Sequence, residues 1–193
     1  VGSEMCIRDR NMDHVSSLAE EGGSFKVTAE IQTALNDYEK AIKAYAKASC
    51  RSPEDLFVFA KEMILGGSLD DDQHAAFRDA AVACAAAFAE IDVETYASLA
   101  GEHFPERIAD ASDRLTGMPE SNFRFLKRLI HFEGIQVSDT TFEKFLSLLC
   151  EFEPEGVAPF LRNRDGFQIT TCLEICQRKG CRDAEAFLLE RTG

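Results

Sequence analysis

The chain has 193 residues and a formal net charge of −13, with 45% apolar and 28% charged residues, 15 Phe and no Trp. That length and apolar content suit a folded core and exclude a disordered chain, while the acidic balance disfavours nucleic-acid binding, which works by neutralising phosphates. The longest apolar run, Ala80–Ala89 between Asp79 and Glu90, is ten residues, far short of the roughly 20 that a membrane-crossing helix needs, so no transmembrane segment is expected.

Val1–Arg10 matches no part of the pattern that follows and resembles the conceptual translation of a transposon-based sequencing adapter, whose frame reads Met5-Cys6-Ile7-Arg8-Asp9. It is expected to be foreign to the fold, and the reading implies that the natural N-terminus is missing. Residues 11–24 read as a loose or disordered polar segment ending at Gly22-Gly23-Ser24. From residue 25 to 193 the apolar spacing is helical. Val27, Ile31, Ala34, Leu35, Tyr38, Ile42 and Tyr45 mark one face of a single long helix. Ser52-Pro53 opens the next, which carries Leu56, Phe59 and Met63, and Gly66-Gly67 ends it. Ser68 and Asp70–Asp72 start an Ala-rich helix running through Phe77, Cys84 and Phe88. Asp92 is placed to cap a helix holding Tyr96 and Leu99, and Pro105 forces a break before Ile108 and Leu115.

Beyond Gly117 the elements shorten and become more regular, so 119–193 is the most regular part. Pro119 opens a helix with Phe123, Leu126, Leu129 and Ile130, and Ser138 or Asp139 caps one with Phe142, Phe145, Leu146 and Leu149. Pro154 opens Pro154–Leu161; Ile169, Leu173 and Cys176 mark another helix, and Ala184, Phe187 and Leu188 the last, with Gly180 between those two. Helix pairs spaced by roughly 30–40 residues predict an all-α fold, an α-solenoid of antiparallel pairs whose outer faces remain for partners.

Little in the sequence points to chemistry. Cys172 and Cys176 stand at i, i+4 within a helix, with Cys181 and Cys150 further off, unlike the tight knuckle of a structural zinc site. Asp70, Asp71, Asp72 and His74 lack the alternation of a calcium loop. His14, His74, His103 and His131 are scattered, and a nucleophile pair of Cys150 with His131 has nothing to bring it together. No catalytic, metal or cofactor site is expected. Residues 11–118 carry 9 Lys/Arg against 20 Asp/Glu and residues 119–193 carry 10 against 12, so an acidic or anionic partner is sought in the C-terminal part. There Arg124, Lys127, Arg128 and His131 form a basic stripe opposite Phe123, Leu126 and Ile130, the best candidate for partner contact.

Leu148-Leu149-Cys150-Glu151-Phe152-Glu153-Pro154, Val157-Ala158-Pro159-Phe160-Leu161, Cys172-Leu173-Glu174-Ile175-Cys176 and Asp183–Gly193 carry a resemblance over Phe142–Gly193. The stretch resembles the vacuolar protein sorting-associated protein 8 family, large subunits of the endosomal tethering complex CORVET. The resemblance implies clathrin heavy-chain-like helical repeats and a non-catalytic scaffold in vesicle-mediated transport. It further implies a cytoplasmic protein, peripheral on endosomal or vacuolar membranes, bound to other tethering subunits and to a Rab-type GTPase through regions outside this sequence. The family's propeller and RING are not in it. A clathrin-like coat or sister tethering subunit is the alternative reading, and a small helical metal-binding protein or enzyme the second.

Overall fold

The computed structural model describes residues 12, 14–48, 54–67, 69–132 and 135–192, with His131 and Phe132 described by backbone alone. The adapter-like segment 1–10 and the Ser52-Pro53 and Ser68 caps lie outside them. Among the described residues the fold is all-helical, with no strand. The chain divides into two compact units, Val1–Leu99 and Ala100–Gly193.

The first unit begins with α1 (14–21), within the segment whose composition reads as loose. Polar groups help to hold it, which hydropathy does not register. Buried Ser16 accepts a 2.8 Å hydrogen bond from Gln32 Nε2, and Glu20 pairs with Lys47 at 2.5 Å, while Val15 and Leu18 face outward.

The single long helix expected from Val27 to Tyr45 is two helices, α2 (Phe25–Ala34) and α3 (Tyr38–Ala48), packed as a hairpin. Asn36 breaks it by adopting a left-handed conformation, φ 59°, which Asn tolerates better than most residues. Asp37 then accepts from Lys40 N at 3.2 Å and starts α3. An apolar stripe continues across the turn because both helices face the same core.

α4 (Glu54–Leu65) ends at the glycine pair, and Gly67 is left-handed at φ 60°. α5 (Asp71–Ala83) starts from a capping box: Asp70 accepts from Gln73 N at 2.8 Å, and Gln73 Oε1 accepts from Asp70 N at 3.1 Å. The Ala-rich run is not one helix. α5 stops at Cys84 (φ −96°, ψ 18°) and α6 (Ala85–His103) begins at once; no Gly or Pro announces this break. A chain of rings fills the interior: Tyr38–Phe77 and Phe59–Phe77 meet edge to face at 5.6 and 5.8 Å, and Phe88 stacks on Tyr96 at 5.0 Å. Tyr96, fully buried, donates its hydroxyl to Ala81 O at 3.2 Å, so its one polar group has a partner.

α6 is interrupted at Asp92, where φ −159° and ψ 102° are extended. The carboxylate caps the second half, as the sequence leads one to expect. Oδ1 accepts from Glu94 N at 3.0 Å and Thr95 N at 3.1 Å, and Oδ2 accepts from the Thr95 hydroxyl at 2.7 Å. Asp92→Ala should therefore lower stability by about 1–2 kcal/mol, read from the urea midpoint, and Asp92→Asn should keep most of it. Equal losses in the two would show that the cap is not the cause.

The second unit has a 3-10 turn, Pro105–Arg107, leading into α7 (Ile108–Arg114), then α8 (Pro119–Leu126), which continues as a π-helix over Lys127–Phe132. α9 (Asp139–Phe152), α10 (Pro154–Arg162), α11 (Ile169–Lys179) and α12 (Arg182–Thr192) follow. Of the two candidate caps for α9, Ser138 is the one used, accepting from Thr141 N at 3.3 Å. Pro119 and Pro154 take first-turn positions, where the missing N–H has no cost. Gly180, left-handed at φ 75°, ends α11, and Cys181 N reaches back to Cys176 O at 2.9 Å.

α9 is central to this unit, with α8, α10 and α11 all packed on it, and α12 packs on α10 and α11. Phe145 on α9 is fully buried, its ring 6.2 Å from Phe123 of α8 and 5.3 Å from Phe160 of α10. Ser112 of α7 and Asn122 of α8 form the unit's buried polar lock. Ser112 Oγ donates to Asn122 Oδ1 at 2.9 Å, and Asn122 Nδ2 donates to Ser112 O at 3.0 Å.

Candidate functional site

The basic stripe lies where α8 passes into the π-helix. Arg124 and Arg128 are exposed, set one turn apart by helical spacing. Lys127 lies between them and turns inward, pairing with both carboxylate oxygens of Glu153 at 2.5 and 2.7 Å and standing 5.5 Å from the Phe123 ring. It thereby ties α8 to the α9–α10 junction, a structural use that the sequence does not reveal because Glu153 is 26 residues away. The His131 side chain lies outside the described residues. The π-helix that carries Lys127, Arg128 and His131 is itself unusual, a geometry that recurs at functional positions in helices.

The four C-terminal cysteines come together. Cys150, Cys172, Cys176 and Cys181 are all buried, and Cys181 Sγ approaches Cys150 O at 3.8 Å. The neighbouring Cys176 thiol, with burial, pushes the Cys150 ionisation up. Helical spacing places Cys172 and Cys176 on one face; only the packing of α11 on α9 brings Cys150 to them. Among the described residues no three His, Cys, Asp or Glu side chains are arranged to hold a metal ion. Asp70 of the acidic triplet is occupied as the helix cap.

Burial pushes the Cys84, Cys172 and Cys181 thiols from an ordinary value of 9 up to about 11. Between those limits the unfolded chain has released protons that the folded chain still holds. Stability therefore falls as pH rises from about 9 to about 11, and these thiols add no pH dependence below that window. Urea midpoints at pH 8 and pH 10 check this: Cys84→Ala and Cys172→Ala variants should each show a smaller drop than the parent. An unchanged drop would assign the effect to other groups.

Three arginines engage the aromatic side chains around the α10–α11 connection, residues 163–168. Arg162 lies 5.5 Å from the Phe187 ring, and Arg191 lies 5.6 and 5.7 Å from Phe167 and Phe187. Arg164 lies 5.1 and 5.9 Å from Phe142 and Phe160. Sequence reasoning missed this cluster. Phe167, in the connection itself, was the available signal, an aromatic residue outside any helical stripe.

A segment of 105 residues, half of the chain, is 28% identical to the vacuolar protein sorting-associated protein 8 homolog of Mus musculus. The chain is similar to that protein. The match spans 7% of the mouse protein's length. No family model matches the chain, and no solved structure matches it. Among the described residues no helix is long and apolar enough to cross a membrane.

Proposed function

We propose that this chain is a non-catalytic scaffold segment of an endosomal vesicle-tethering subunit, working through protein–protein contact in vesicle-mediated transport. The observation that carries the reading is the similarity to the mouse vacuolar protein sorting-associated protein 8 homolog, which agrees with the family resemblance over Phe142–Gly193. The all-helical fold supports it, since helices that bury their apolar stripes on one another leave outer faces for partners. On this reading residues 25–193 form one α-solenoid of the clathrin-repeat type. Its partners are other subunits of a multisubunit complex, with a Rab-type GTPase met elsewhere in the parent protein, and its place is peripheral on endosomal membranes. The stripe of Arg124, Lys127, Arg128 and His131 is the proposed contact with an acidic partner, with Arg124 and Arg128 its outward members.

Affinity purification of the tagged chain from animal cells tests this. Enrichment of endosomal tethering subunits, identified by mass spectrometry and reduced at least about threefold by Arg124→Glu with Arg128→Glu, is the expected result. Enrichment of clathrin-coat components in their place, or of neither group, overturns the tethering role. Small-angle scattering tests the solenoid: the radius of gyration should exceed the roughly 16 Å of a compact chain of this length.

A further inference from the structure

Arg164 is half-buried in the α10–α11 connection with its guanidinium against two rings. Among the described residues its side-chain hydrogen bonds are long: Nη1 to Ile130 O at 3.5 Å and Nη2 to Gln136 Oε1 at 3.4 Å. A guanidinium has five N–H donors and pairs best with carboxylates, two bonds at a time. Among the described residues no carboxylate forms an ion pair with it. Of the acidic groups around it, Asp165 is exposed and paired with Arg191 at 3.5 Å, Asp139 accepts from Gln168 at 3.4 Å, and Glu143 lines a small cavity that Arg164 also lines, without an ion pair between the two. Burial lowers the Arg164 pKa from its usual value, as expected for a desolvated cation.

Arg164 also lines a groove of about 700 Å³ with Ile130, Gln136, Pro159, Phe160 and Asn163, and Asp165, whose charge is paired with Arg191, stands at its exposed edge. Its walls are apolar on the Ile130, Pro159 and Phe160 side. The polar rim offers amide donors from Gln136 and Asn163. We propose that this groove is a docking site for a peptide segment of another protein, one that sets a Glu or Asp carboxylate on Arg164 and lays an adjoining apolar side chain against Phe160 and Pro159. A single stacked cation with apolar walls suits such a peptide. An anionic membrane surface is attracted by several clustered cations, and here Arg191 and Lys127 are already paired with Asp165 and Glu153.

The inference stands on the groove and does not need the tethering role. Its test is selection from a display library of random dodecapeptides on the purified full chain. Selected peptides should be enriched in Glu or Asp beside an aromatic or aliphatic residue. Replacing that acid by its amide should weaken binding at least about tenfold, or 1.4 kcal/mol. Asn163→Asp adds a like charge at an exposed rim position and should weaken binding comparably without disturbing the core. Arg164→Lys keeps the charge but loses the two-pronged geometry and should give an intermediate loss. Peptides without acidic enrichment, or affinity unchanged by Asn163→Asp and by the amide, would overturn the proposal. So would Asn163-sensitive binding of phosphatidylserine vesicles with no acidic peptide selected.

Discussion

Phe145→Ala is expected to destabilise the Ala100–Gly193 unit by about 3–5 kcal/mol, the usual cost of removing a fully buried aromatic ring. The ring meets Phe123 of α8 and Phe160 of α10 at once. Neither neighbour can collapse into the vacated space without leaving the other, so the cavity persists and adds to the lost transfer energy. Each kcal/mol shifts the melting temperature of a unit of this size by roughly 4–8 °C. The variant should therefore melt more than about 12 °C below the parent in this unit, and amide hydrogen exchange across α8–α10 should accelerate to match. Phe152→Ala is the control, since that ring is 36% exposed and its loss should be much smaller. Comparable losses for the two would mean that α9 does not hold the unit together in the way described.

Ser112→Ala carries the second large effect. Ser112 is fully enclosed, and Asn122 is 2% exposed. Removing the hydroxyl strands Asn122 Oδ1 without a donor, while Nδ2 stays bound to Ser112 O and prevents the amide from rotating away. A stranded buried acceptor costs about 1–3 kcal/mol. Adding Asn122→Leu to Ser112→Ala removes the stranded group and supplies a side chain of similar size, so the double variant should regain most of the loss. A double-mutant cycle by chemical denaturation measures the coupling; additive losses would show that the two side chains do not act as a pair.

The punctuation of this fold is readable along the chain because caps and stops act locally. Asp92, Ser138, Pro119, Pro154 and Gly180 each do what their chemistry dictates within three or four residues. The failures are of two kinds. At Asn36 and Cys84 the helix breaks inside an unbroken apolar pattern, because the segments on either side bury the same face and the hydropathy period cannot register the turn. Asn36-Asp37 carried a legible hint, a residue that accepts left-handed geometry followed by a capping acid; Cys84 carried none. The others depend on which helices meet. The Lys127–Glu153 pair, the thiol cluster and the Arg164 stack join residues 22 to 31 positions apart, and no local rule ties them together. For the same reason the stripe's residues were visible while the inward turn of Lys127 was not.

The wide turn over Lys127–Phe132 bears on how this chain should be compared with others. A π-helix is in effect an α-helix holding one residue more than its turn needs. Removing a single residue there would restore ordinary winding without opening a loop. Relatives that differ by such a deletion would keep the flanking helices, and an alignment of them belongs with its gap inside a continuous helix, where gap penalties tuned for loops resist placing one. Leaving the gap out would shift every downstream position by one.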